Sequence, residues 1–155
     1  DDRITTVENA KRGGLRACSG VIVGMGEQPA DLVDVANALG ALRVESLPVN
    51  FLIPIDGTPL GDRTPPDPGY CLRVLALFRL TNPRAEIRAA GGREHCLGDL
   101  QGLALFAVNS IFVEGYLTTP GQPRDVARRM IDDLGFEVER EPDAHNDGQV
   151  LANML

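Results

Sequence analysis

The sequence predicts an α/β fold in which parallel strands alternate with helices, and three observations carry that prediction. Strand-like apolar segments and helix-like amphipathic segments alternate four times along 155 residues, the pattern of strands joined by right-handed crossovers. Glycine and polar residues fall in or just after the strands, at Gly24-Met25-Gly26, Asn50, the loop from Pro54, Gly91-Gly92-Arg93 and Gly115. The carboxyl end of parallel strands is where ligands bind in open sheets and barrels alike. The composition, 43% hydrophobic and 24% charged with a mean hydropathy of -0.07, is that of one globular domain with enough apolar material for a core. An eight-stranded barrel of this kind takes about 250 residues. Four units are therefore a compact open sheet or half of a closed barrel, and the placement of the strand-end residues favours the half barrel.

The elements follow in order. Ile4 to Gly14 is predicted as a short helix, with Thr5 or Thr6 to cap it and Gly13-Gly14 to end it. Leu15 to Val23 is the first strand. Its two-residue period places Cys18, Gly20, Ile22 and Gly24 on one face and Ala17, Ser19, Val21 and Val23 on the other. A second helix runs from about Pro29 to Leu39, with proline in the first turn, an apolar stripe of Leu32, Val33, Val35, Ala36 and Leu39, and Gly40 after it. Ser46 to Ile53 is the second strand, and Pro54 to Pro68 is a proline-rich surface loop. Tyr70 to Leu80 is the third helix, using Leu72, Leu75, Ala76 and Arg79, and Asn82-Pro83 stops it. Ala85 to Ala90 is the third strand. Gly98 to Val108 is a helix with Leu100, Leu103, Ala104 and Ala107 inward, Ser110 to Val113 the fourth strand, and Pro123 to Leu134 the last helix. Residues 1–140 form the domain, and 141–155 are expected as a polar, flexible tail.

Charge and cysteine usage exclude several classes. A net charge of -7 provides no basic stripe for nucleic acid. The longest nearly apolar run, Leu103 to Val113, is far short of the roughly 20 residues that cross a bilayer, so no membrane partner is expected. Cys18, Cys71 and Cys96 are odd in number and widely spaced, which fits neither a zinc ribbon nor a disulfide framework and suits a reducing cytoplasm.

Cys18 is the central chemical candidate. A thiolate is a soft donor suited to iron–sulfur sites, and Gly20 and Gly24 beside it leave room for a ligand or a neighbouring backbone; the competing reading is a small buried hydrophobe. Gly24-Met25-Gly26 opening a helix is only a weak match to a dinucleotide loop, because Pro29 stands where a third glycine belongs. Glu27 suits a helix start with or without a ligand. Asn50 interrupts an apolar strand and needs partners, from a ligand or from the core. Arg88 and Arg93 bracket Gly91-Gly92 and either face an anion or carboxylates or lie solvated at the rim. His95 and His145 are too isolated for a metal site, and Cys71 and Cys96 are expected to be structural.

Four stretches together carry a resemblance: Cys18-Ser19-Gly20-Val21-Ile22-Val23-Gly24-Met25-Gly26-Glu27, Leu47-Pro48-Val49-Asn50-Phe51-Leu52 with Gly57-Thr58-Pro59-Leu60, Arg88-Ala89-Ala90-Gly91-Gly92-Arg93-Glu94, and Asn109-Ser110-Ile111-Phe112 with Leu117-Thr118-Thr119-Pro120. In this order and over about residues 1 to 137 they resemble the biotin synthase family, specifically strands five to eight of its TIM-type (β/α) radical S-adenosylmethionine barrel. The resemblance implies that Cys18 is the last of three cysteines on a 2Fe-2S cluster and Arg93 that cluster's arginine ligand. It implies S-adenosylmethionine contacts at Gly20, Ile22, Gly24, Glu27 and Ile53, a dethiobiotin contact at Asn50, and a supporting electrostatic role for Arg88. The implied reaction cleaves S-adenosylmethionine reductively at a 4Fe-4S cluster, and the resulting 5′-deoxyadenosyl radical leads to sulfur insertion into dethiobiotin. A reductant such as flavodoxin or ferredoxin and a homodimer of the complete protein are implied as partners.

The Cys-x-x-x-Cys-x-x-Cys motif that holds the family's 4Fe-4S cluster is absent from this sequence, as are the other two cysteines of the second cluster. The expectation is a C-terminal piece of the enzyme, inactive by itself and completed by an N-terminal half of the barrel. A non-enzymatic remnant that binds a small ligand, or a related radical enzyme with another substrate, is the alternative.

Overall fold

The computed structural model describes residues 2–115 and 120–139. The Leu117-Thr118-Thr119 part of the fourth stretch, His145 and the expected tail lie outside the described residues. The elements are α1 (Asp2–Arg12), β1 (Val21–Val23), α2 (Pro29–Leu42), β2 (Ser46–Phe51), α3 (Pro68–Thr81), β3 (Glu86–Ala89), α4 (Arg93–Leu97), a 3₁₀ helix (Gly98–Phe106), β4 (Ser110–Ile111) and α5 (Arg124–Asp133).

The four strands form one parallel sheet in the order β1-β2-β3-β4. A doubly wound sheet reverses its strand order partway to cover both faces, whereas a sequential order with crossovers of one hand stacks every helix on the same face. The helices accordingly pack on one another in chain order, α1 on α2, α2 on α3, α3 on α4 and the 3₁₀ helix on α5. Ala17, Val23, Leu47, Val49, Phe51, Ile87, Ala89 and Ile111 are buried beneath them. The opposite face stays open, with Cys18, Gly20 and Ile22 exposed and Pro48, Asn50, Glu86, Arg88 and Ser110 part-exposed. The architecture is compatible with half of a barrel, its open face being the side that would line the interior.

Several elements depart from their predicted bounds. The first strand, expected over Leu15 to Val23, joins the ladder only at Val21–Val23 and through a single bridge between Cys18 and Ser46. The register places Pro48 opposite the Ser19 carbonyl, and proline has no N–H to give it. The helix expected over Gly98 to Val108 is a 3₁₀ helix, preceded by the short α4 that the sequence reading lacked. Gly98 at φ 50° separates the two. A three-residue repeat stacks positions i, i+3 and i+6, so Leu100, Leu103 and Phe106 share an exposed flank instead of facing inward, and of the expected inward set only Ala104 is fully buried.

In α2, Val33 and Val35 fall outside the buried stripe, and the helix continues past Gly40 to Arg43, whose left-handed backbone ends it. In α3, Ala76 is exposed while Val74 and Phe78 complete the buried face; Asp67 caps the helix by accepting from the Tyr70 N–H at 2.9 Å. Thr6 does not cap α1, since its hydroxyl donates to the Asp2 carbonyl within the helix.

Candidate functional site

The open face of the sheet collects the polar residues that alternate with the core. Register runs Cys18, Ser46, Glu86 across one row and Pro48, Arg88, Ser110 across the next, with Ile22 opposite Asn50 beyond. Cys18 is a free, exposed thiol in this chain. Arg88 forms an ion pair with Glu86 at 3.0 Å. Its Nε and the Ser46 hydroxyl are buried and have no hydrogen-bond partner among the described residues. Ser46, Glu86 and Ser110 were not singled out from sequence. The signal was the two-residue alternation itself, which puts Glu86 and Arg88 on one face.

Gly20 answers to the chain itself. A Cβ there would overlap the Pro48 carbonyl, so the glycine accommodates the neighbouring strand, one of the two causes that a strand glycine signals. Gly24, at φ 101°, turns the chain toward Pro66 and Leu52. Glu27 closes this turn, its carboxylate accepting the N–H groups of Gly24 at 2.7 Å and Gly26 at 3.0 Å. Asn50 is satisfied on both sides: its Nδ2 donates to the Val21 carbonyl at 3.2 Å and its Oδ1 accepts from the Gly91 N–H at 3.0 Å. An amide has a second N–H and a second lone pair, and those remain for a ligand. Ile53 lies farther along, in a cleft of about 170 Å³ at the strand ends with Gly91, Gly92, His95 and Phe112.

The two arginines part company. Arg93 is only 1% exposed and is engaged by Gln101, by Glu94 at 2.8 Å and by the Phe112 carbonyl at 3.1 Å. Burial lowers the pKa of its guanidinium while Glu94 opposes the shift. Glu94 also accepts the Gln122 N–H at 2.9 Å. Arg93 thus ties α4 to the 3₁₀ helix and to the strand-end loops, and the expectation that it meets Cys18 gives way: Arg88 is the arginine on the Cys18 face. The hydrogen bond with the Cys96 thiol, then burial, push Cys71 well above the usual thiol range, in keeping with its expected structural role.

A metal site needs converging donors. Among the described residues no three His, Cys, Asp or Glu side chains converge. The exposed Cys18 thiol and the Arg88 guanidinium, whose Nε has no partner among the described residues, would fill two positions of a cluster site only together with donors from outside these residues. No helix among the described residues is long and apolar enough to cross a membrane.

Comparison with known proteins adds to this geometry. A family model described as the Biotin and Thiamin Synthesis associated domain matches residues 48–137. The chain is 57% identical over 142 residues to the biotin synthase of Geobacillus kaustophilus, covering 92% of this chain and 43% of the relative. It is 58% identical over 139 residues to that of Bacillus velezensis, covering 90% and 41%, and 57% identical over 139 residues to that of Bacillus subtilis, covering 90% and 42%. The chain therefore spans less than half the length of these relatives.

Proposed function

We propose, from the premise that this chain belongs to the Biotin and Thiamin Synthesis associated domain family, that it is the C-terminal half of a biotin synthase barrel, active on dethiobiotin only when an N-terminal half completes it. The observation that carries this reading is the exposed Cys18 thiol on the same open sheet face as Arg88, with the other face sealed by helices. A half barrel presents its interior in this way, and the interior is where cofactors are kept from water.

Cys18 is the thiolate for a 2Fe-2S cluster, and Arg88, in place of Arg93, is the guanidinium beside it. A 4Fe-4S cluster does not fit this chain, whose sequence lacks the three closely spaced cysteines it requires. In the completed barrel the 2Fe-2S cluster held on this side would supply the sulfur. The chain's own residues bind and orient. Ile22, 51% exposed on the open face, and Ile53 give apolar surface for the adenosyl group. Glu27 fixes the Gly24–Gly26 backbone against which that group lies. Asn50, locked by Val21 and Gly91, offers its remaining amide N–H and lone pair to dethiobiotin. Arg93 keeps the loop after β3 in place.

The test is to join this chain to the N-terminal half of a relative's barrel and measure iron, the visible absorption of the cluster and biotin formed. The completed protein is expected to make biotin and the isolated chain none, with Cys18→Ser removing the second cluster and the product. Unchanged turnover in Cys18→Ser overturns the assignment.

A further inference from the structure

Glu86 has no role in the reading above, yet it occupies a defined place on the open face. It lies in one row with Ser46 and Cys18, two strand spacings or ~10 Å from Cys18 between Cα atoms. Arg88 belongs to the next row, opposite Pro48 and Ser110. The 3.0 Å pair between Glu86 Oε1 and Arg88 Nη2 draws the guanidinium back from its own row toward the row of Cys18. The Arg88 side chain is 16% exposed and that of Glu86 34%, so the guanidinium is held in a part-buried place on this face. The pair engages Nη2 and leaves Nε buried without a partner among the described residues, a donor on the same face as the thiol.

Resting on the reading of Cys18 and Arg88 as the cluster side of a half barrel, we infer that Glu86 is a positioning residue: it aims the Arg88 guanidinium at the Cys18 site and balances its charge there. Cluster potentials follow net charge and hydrogen bonding around the iron and sulfur. Removing one negative charge stabilises the more negative, reduced state, so neutralising Glu86 moves the potential up.

The experiment uses the completed protein, this chain joined to the N-terminal half of a relative's barrel, in unsubstituted, Glu86→Gln and Glu86→Asp forms. The midpoint potential of the second cluster, its visible absorption, the rate of iron loss to a chelator and the Tm are measured. Glu86→Gln is expected to shift the midpoint positive and to speed iron loss severalfold with Tm unchanged, and Glu86→Asp to return both toward the unsubstituted values. A potential and a loss rate indifferent to Glu86→Gln overturn the inference while leaving the functional reading intact. So does a change that tracks a fall in Tm and that Asp does not reverse. If the unsubstituted protein holds no second cluster, both fall together.

Discussion

The side chain of Asn50 joins β1 to the loop after β3, its amide donating to the Val21 carbonyl at 3.2 Å while its oxygen accepts the Gly91 N–H at 3.0 Å. One residue in mid-strand thus sets the spacing of the glycine-rich strand ends on both sides. Replacing Asn50 with Ala leaves two part-buried backbone groups unpaired, at a cost of about 1 kcal/mol, read from the denaturation midpoint. In the completed protein the same substitution is expected to raise the KM for dethiobiotin.

Arg93 and Arg88 are separable by substitution. Arg93→Ala empties a buried position and strips partners from Gln101, Glu94 and the Phe112 carbonyl, and a loss of about 2–4 kcal/mol is expected. Arg88→Ala costs little stability and instead alters the absorption of the second cluster in the completed protein. Thermal unfolding and iron spectroscopy on the two variants give opposite rankings if these roles hold.

Glu45 makes stability depend on acid. The hydrogen bond from Lys11, then the Ala17 N–H, holds its carboxyl below the ordinary value of 4.5. A lowered carboxylate pKa stabilises the fold above the unfolded-state value and loses that contribution as pH falls through the folded-state value. Denaturation midpoints of the unsubstituted chain are expected to fall below about pH 4.5 more steeply than those of Glu45→Gln, which lacks this proton linkage.

Gly92 is a place where no side chain fits. At φ 79°, a Cβ would overlap the Phe51 carbonyl oxygen, whereas at Gly57, φ 78°, nothing stands nearby. Gly57→Ala is expected to cost about 1 kcal/mol of backbone strain. Gly92→Ala adds a steric clash with β2, and the difference between the two in chemical denaturation measures it.

The alternation of strand and helix, the order of the units and the division of Leu15 to Val23 into a thiol-bearing face and an apolar face were all written in the sequence, because a two-residue period assigns faces without knowledge of the partner strand. The resemblance in the four stretches was legible too, since it lies in residue order. That the four strands lie side by side in chain order is visible only in the structure, and this order leaves Cys18 in the open on the face opposite the buried core. Arg88 and Arg93 lie five positions apart, and the resemblance gives Arg93 the cluster and Arg88 only a supporting role. The sheet register puts Arg88 beside Glu86 on the Cys18 face, while the turn at Gly92 carries Arg93 into the contacts of α4. Local pattern fixes the face of a residue within a strand, but pairing between strands and the direction taken by a turn depend on contacts distant in sequence, and those decide which side chains meet.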